Sequence, residues 1–225
     1  MITTEEYFNR QIQLWGKETQ ELLQSKKIAI IGSGGLGCSL ALALGTSGIG
    51  EIDIVDFDIV SKHNIHRQVA FTLKDENRPK VQVAIEMIRS KNPFVTATAY
   101  EMSFEAFQKL DSKDYDLILD ATDNLPTRKN IDKYAKQHNI PWIYASVEEF
   151  NAQVCFFENS SFHVFNISDH KPGGIAAPIV MHTASLQANI ALRYLANLPV
   201  VKDKLYYLYF NKEGELITQK FNMPT

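Results

Sequence analysis

Cysteine is scarce in this chain of 225 residues, occurring only as Cys38 and Cys155. A four-thiolate zinc site within one chain is thereby excluded, and no zinc is expected. Basic charge is also in short supply: 23 Lys and Arg against 26 Asp and Glu leave a net charge of −3. Without a basic field there is little counterion-driven attraction to polynucleotides, so nucleic acid is not the expected partner. No apolar run approaches the roughly 18 residues of a membrane span, and the acidic start Met1-Ile2-Thr3-Thr4-Glu5-Glu6 is unlike a signal peptide. These absences point to a cytoplasmic protein that engages no membrane. Internal repeats and low-complexity segments are missing too. What is present is 45% hydrophobic residues, enough for one substantial core, and a single domain over residues 1–225 is expected.

The most informative stretch is Lys27-Ile28-Ala29-Ile30-Ile31-Gly32-Ser33-Gly34-Gly35-Leu36-Gly37, an apolar run that feeds into G-x-G-x-x-G. In a strand–turn–helix unit the first glycine permits the tight turn and the second lets backbone approach a phosphate. The third lets helix and strand pack closely, and the helix N-terminus offers free N–H groups to an anion. The following apolar run, Glu51-Ile52-Asp53-Ile54-Val55-Asp56, ends in an acid 19 residues past Gly37, where a ribose-binding carboxylate belongs. A nucleotide ligand is expected. Asn64-Ile65-His66-Arg67-Gln68, Arg78-Pro79-Lys80 and Asp120-Ala121-Thr122-Asp123-Asn124 then place an arginine, a lysine and an acidic cluster after successive elements. Two cations and a carboxylate suit a triphosphate with Mg²⁺ better than a nicotinamide dinucleotide.

The order of elements is α/β. Thr3 and Glu6 read as a capping box for a first helix whose Tyr7, Ile12, Leu14, Leu22 and Leu23 would lie along a sheet. Strands are expected near 27–32, 51–56, 95–100, 116–120 and 141–145, with helices near 35–48, 79–91 and 126–138 between them. That alternation predicts right-handed crossovers and a mainly parallel sheet. From Ala152 the rhythm changes. Gln153-Val154-Cys155-Phe156-Phe157 and Ser161-Phe162-His163-Val164-Phe165 are too close for helical crossovers and predict antiparallel strands. A long helix near 177–197 and a terminal hairpin around Asn211-Lys212-Glu213-Gly214 complete the chain.

The sequence resembles the ThiF/MoeB/HesA family of adenylating enzymes, relatives of the ubiquitin-activating enzymes. The resemblance rests on Asn9-Arg10-Gln11-Ile12, the glycine loop with Cys38, and Asp56-Phe57-Asp58-Ile59-Val60. It continues through Asn64-Ile65-His66-Arg67-Gln68, Pro79-Lys80-Val81, Asn92-Pro93, Asp120-Ala121-Thr122-Asp123-Asn124 and Ala177-Pro178-Ile179-Val180. It implies a Rossmann-like domain with helices on both faces of a twisted sheet, extended by antiparallel strands toward the C-terminus. The implied activity is ATP- and Mg²⁺-dependent adenylation of the C-terminal glycine carboxylate of a small ubiquitin-like sulfur carrier (ThiS/MoaD-like) ending in Gly-Gly. Pyrophosphate would leave, in thiamine or molybdopterin biosynthesis. Close alternatives are a family member acting on another substrate, such as a tRNA-modifying dehydratase, or a catalytically silent half of a heterodimer.

The resemblance implies catalytic roles for Arg10, Arg67, Lys80 and Asp123, with Asp123 as the metal ligand. Nucleotide contacts are implied for Gly32, Gly34, Gly35, Gly37, Asp56, Asp58, Asn64 and Asn124 besides Arg67, Lys80 and Asp123. Arg10 would reach the ATP of a second subunit, so a homodimer is expected. Taken alone, Arg67 and Lys80 are ordinary surface charges and Asp123 could equally cap the helix that follows it. Cys38 reads as a packing residue and Cys155 as core, which puts a covalent cysteine step in doubt and leaves it undecided by the sequence. The Gly- and Pro-containing segment 166–174 stands where the family's crossover loop would pass. Phe156, Phe157 and the tyrosines 206, 207 and 209 could offer apolar surface to a carrier, or serve as core.

Overall fold

A computed structural model describes residues 2–110, 114–165 and 173–224. Three short helices open the chain: α1 (Thr4–Tyr7), α2 (Asn9–Trp15) and α3 (Lys17–Gln24). The Thr3–Glu6 capping box is present, but one continuous helix is not. The buried Phe8 interrupts it, and Gly16, at φ +85°, turns the chain again. As a result Leu23 is sealed in the core while Leu14, expected along the sheet, is 74% exposed.

Strand β1 (Lys27–Ile31) leads through the glycine loop into α4 (Gly35–Gly45), followed by β2 (Glu51–Val55), α5 (Lys80–Lys91) and β3 (Thr96–Tyr100). Next come α6 (Phe104–Phe107), β4 (Leu117–Asp120), α7 (Leu125–His138), β5 (Trp142–Glu148) and β6 (Asn151–Phe157). Helix α8 (Ala177–Leu195) and the hairpin β7 (Lys204–Phe210) and β8 (Leu216–Asn222) end the chain. All eight strands form one sheet in the order β3-β2-β1-β4-β5-β6-β7-β8. Pairing is parallel from β3 to β5 and antiparallel from β5 to β8.

The parallel strands are apolar on both faces because both faces are covered. Along β1, Ile28 and Ile30 pack with Leu40, Leu44, Ile85 and Ala188 from α4, α5 and α8. Ala29 and Ile31 face the opposite layer, which contains Phe104, Ile131 and Trp142. Helix α4 is buried nearly all round, which explains why its sequence GLGCSLALALG is apolar without an amphipathic stripe.

In the C-terminal half one expectation fails, and an alternative that the sequence left open is decided. Residues 161–165 do not add a strand: Ser161 accepts a hydrogen bond from His163 N–H and starts a short 3₁₀ turn over Phe162–Val164. Phe162 and Phe165 instead pack on Tyr144, with ring centroids 5.2 and 5.6 Å away. Phe156 and Phe157 are each 1% exposed, because β6 is an interior strand flanked by β5 and β7. They offer no surface to a partner, whereas Tyr206, Tyr207 and Tyr209 are half-buried. The segment 166–174 lies outside the described residues except for Gly173 and Gly174.

Candidate functional site

The strand order reverses between β1 and β4, since β1 connects onward to β2 on one side and β4 to β5 on the other. Open α/β sheets leave a crevice at such a point, outside the carboxyl ends of the strands. Here it is a cavity of about 920 Å³, bordered by the glycine loop, the loops after β2 and β4, and the inner ends of β5 and β6.

The glycine loop is dictated sterically. A side chain at Gly32 would place its Cβ 2.6 Å from the Ala121 carbonyl oxygen, at a φ of +101°. One at Gly37 would collide with the Gly32 carbonyl, so these two positions close the β1–α4 turn. A Cβ on Gly34 would meet nothing nearer than Gln68 Nε2 at 3.7 Å, so this backbone is approachable from the cavity. No side chain caps α4, and Gly34, Gly35 and Leu36 at its start line the same cavity, leaving first-turn N–H groups without helical partners there. Ser33 N–H donates to Asp56 Oδ2 at 2.5 Å and Asp58 N–H to Asp56 Oδ1 at 2.8 Å. That carboxylate therefore ties the glycine loop to the loop after β2. Burial pushes its pKa up, outweighing the two N–H donors and the charge of Lys80.

Cations stand where helix dipoles disfavour them. Lys80 begins α5 and is 4% exposed, with its Nζ 2.7 Å from Asp58 Oδ2. Arg128 lies in the first turn of α7, its Nε 3.1 Å from the fully buried Asp120. A positive side chain at a helix N-terminus costs a few tenths of a kcal/mol or more unless an anion compensates. Each has a carboxylate partner, and both line the cavity with Arg67, which is bonded to Asn64 and lies beside His66. The free end of α4 and these three cations make an anion-binding rim.

Asp120 accepts hydrogen bonds from Thr122 N–H and Oγ1 and so shapes the turn after β4. Burial raises its pKa against the opposing effect of Arg128 and Thr122. The N-cap of α7 is Asn124, whose side chain accepts from Thr127 N–H, so capping does not occupy Asp123. Asp123 is exposed at the cavity and makes no hydrogen bond or ion pair among the described residues. A nucleotide-borne divalent ion fits that free oxygen donor. No cluster of three or more His, Cys, Asp or Glu able to hold a metal occurs among the described residues.

The structure thus gathers Gly32, Gly34, Gly35, Asp56, Asp58, Asn64, Arg67, Lys80, Asp123 and Asn124 at one cavity. Gly37 lies behind it as a packing position. Arg10 is not brought there by its own chain: it is exposed and bonds Gln13 Oε1 at 3.2 Å. Cys38 is buried, with its thiol pushed up to about 12 by desolvation, and bonds the Ser33 carbonyl. Sequence reasoning missed Arg128 as a cavity residue. The available signal was an arginine in the first turn of a helix, against the dipole, eight residues after a strand-ending acid. Gln68 was quoted only within a motif. It is 4% exposed, lines the cavity, and its Oε1 has no partner among the described residues.

This is the geometry of a doubly wound α/β domain with an anion site at its switch point. The chain belongs to the ThiF family, whose sequence model matches residues 8–224. It is 31% identical to the sulfur carrier protein ThiS adenylyltransferase of Escherichia coli K12, over 85% of this chain and 81% of that protein. It is 34% identical to a sulfur carrier protein adenylyltransferase of Thermus thermophilus, over 66% of this chain but 55% of that one. With an adenylyltransferase and sulfurtransferase MOCS3 from Caenorhabditis briggsae the match covers 56% of the relative, so the chain spans about half the length of these two proteins. Among solved structures, PaaA superposes with a TM-score of 0.83 at 25% identity over 99% of this chain and 75% of that one. Escherichia coli MccB with ATP gives 0.84 at 21% identity over 99% and 72%, which shows the fold alone. No helix among the described residues is long and apolar enough to cross a membrane.

Proposed function

We propose that this chain is an ATP-dependent adenylyltransferase that activates the C-terminal glycine carboxylate of a small ubiquitin-like sulfur carrier and releases pyrophosphate. Its place would be in thiamine or molybdopterin cofactor biosynthesis, in the cytoplasm. The carrying observation is the meeting of the uncapped α4 N-terminus with Arg67 and Lys80 at the cavity that Asp123, without a partner among the described residues, also lines. The names of the sulfur-carrier relatives support the choice of substrate.

ATP is the substrate that this rim suits. The glycine-loop amides and Gly34 backbone would cradle phosphate, and Asp56, with acceptor capacity beyond its two N–H donors, would take ribose hydroxyls. Lys80 would exchange Asp58 for phosphate oxygens, and Arg67 would add a second cation. Asp123 would hold Mg²⁺, which when bound supplies charge neutralisation to the phosphates. The carboxylate is already a nucleophile, so positioning and electrostatic stabilisation suffice and no general base is needed.

ATP–pyrophosphate exchange tests this reading. It should appear only when a carrier ending in Gly-Gly is supplied, because the carboxylate is a substrate. Exchange without a carrier, or hydride transfer with a nicotinamide, defeats the proposal. Arg10 enters as a group supplied by a second copy to form a homodimer. Arg10→Ala and Lys80→Ala should each be nearly inactive, and re-associated mixtures should recover about a quarter of wild-type activity, since about half the dimers contain one intact site. A mixture as inactive as its parents after verified subunit exchange removes Arg10 from the partner's site.

A further inference from the structure

The guanidinium of Arg128 can be accounted for donor by donor. Nε donates to Asp120 Oδ2 at 3.1 Å, and Nη2 donates to the carbonyls of Thr122 at 2.7 Å and Ala145 at 3.2 Å. The ring of Tyr144 lies 5.1 Å from Cζ and fixes the plane of the group. A guanidinium has five N–H donors, so the two on Nη1 have no partner among the described residues. The side chain is 8% exposed and lines the cavity. The rest of the guanidinium is held by protein, so the Nη1 edge is the end left open to the cavity and available to a ligand there.

Its location narrows the ligand. Lys80, Arg67 and the free end of α4 form the phosphate rim on the β1–β2 side, whereas Arg128 is tied to β4 and β5 through Asp120 and the Ala145 carbonyl. Asp120 also neutralises it. A charge-balanced guanidinium with one open edge suits a monoanion that must be oriented, rather than a polyanion that must be neutralised. Beyond it the cavity continues along β5 and β6, where Ser146 and Gln153 line it and Tyr144 donates to Gln153 Oε1 at 2.9 Å. That polar strip gives a peptide tail a route to the same edge.

We infer that the Nη1 edge of Arg128 binds the carboxylate of the acyl substrate and orients it toward the phosphate rim. The inference rests on the proposed adenylation, and it makes Arg128 a substrate-binding residue. A phosphate of ATP is the other anion that could use this edge.

The test uses the full chain, with Arg128→Lys and the double variant Asp120→Asn/Arg128→Gln, which keeps a neutral hydrogen-bonding pair if the single change unfolds. Circular dichroism melting identifies which variants are folded, and those decide. ATP binding is measured by calorimetry. A short synthetic peptide ending in Gly-Gly is then titrated, as free acid and as C-terminal amide, beside a non-hydrolysable ATP analogue. Wild type should prefer the acid. The variants should keep ATP affinity within about threefold while the acid binds roughly tenfold or more weakly and the preference for acid over amide disappears. In carrier-dependent exchange the KM for carrier should rise more than kcat falls. An equal loss of ATP affinity assigns the edge to phosphate and overturns the inference. Unchanged acid affinity, or a wild type indifferent to acid and amide, also overturns it. Arg128-dependent acid preference without any carrier-supported exchange upholds the carboxylate site and removes the proposed reaction, while wild-type KM in the variants does the reverse.

Discussion

Two carboxylates, one in the antiparallel extension and one at the cavity, are treated oppositely. Asp203, ahead of β7, accepts from the N–H groups of Glu158, Asn159 and Ser160 and from Ser160 Oγ at 2.6 Å. Burial pushes its pKa up, but those hydrogen bonds outweigh it and hold the group below the usual carboxylate range. Asp56 has two N–H donors, and burial prevails, so its pKa is raised. At the cavity, Gln68 Oε1 and the Nη1 edge of Arg128 are also left without partners among the described residues. Of these two carboxylates, the one that only builds structure is saturated by its surroundings, while the one at the cavity retains unused capacity. Spare hydrogen-bonding capacity, more than charge itself, separates these two carboxylates.

The largest effect should come from Asp120→Ala. Removing one member of a buried ion pair strands Arg128 and costs about 3–5 kcal/mol, lowering the melting temperature by about 10 °C. Thermal denaturation showing a loss below about 1 kcal/mol would mean that the pair is hydrated. Asp123→Ala should instead abolish function with the fold intact. Exchange should fall about a hundred- to thousand-fold, or ~3–4 kcal/mol of transition-state stabilisation, with stability within about 0.5 kcal/mol of wild type. Near-normal rates at limiting Mg²⁺ would leave Asp123 without a role.

Asp203→Asn sharpens the contrast through pH. A folded-state pKa below the unfolded value contributes stability that is present above about 3.8 and lost as pH falls through the depressed folded value. The variant should be less stable by about 1–3 kcal/mol at pH 7, with the difference shrinking on acidification. Urea unfolding at several pH values measures it, and a difference independent of pH would put the effect in shape rather than charge. Smallest of all should be Asp58→Asn. Asp58 is half exposed and its replacement still offers Lys80 an oxygen, so stability should change by less than about 1 kcal/mol. A loss rivalling that of Asp120→Ala would erase the distinction between the exchangeable and the locked pair.

The parallel half of the fold was legible because its signals are local. Continuous apolar strands, Pro79 before α5, and Gly32 and Gly37 in their turn follow from backbone sterics and two-sided burial. The terminal hairpin was legible for the same reason. Residues 161–165 misled because an apolar alternation fits both an antiparallel strand and a 3₁₀ turn whose aromatics fall onto Tyr144. Leu14 misled because Gly16 rotates the chain, an angle that periodicity does not carry. At the site, the glycine loop and Asp56 were readable by spacing, whereas Arg67, Lys80 and Asp123 were readable through the family resemblance. Arg128 and Gln68 were not, since their importance lies in what they fail to bond.

The amino-acid order alone thus determined the glycine turn, the sequence of parallel crossovers, the absence of a four-cysteine zinc site and the placement of charged groups after strand ends. Each depends on neighbours within a few residues or on simple composition. Tertiary structure alone decided that Asp120 sits opposite Arg128, that Asn124 and not Asp123 caps α7, and that Phe156 and Phe157 are core. Those outcomes depend on which strands become neighbours and on the donors and acceptors left over once every strand has paired, quantities that exist only after the chain has closed on itself.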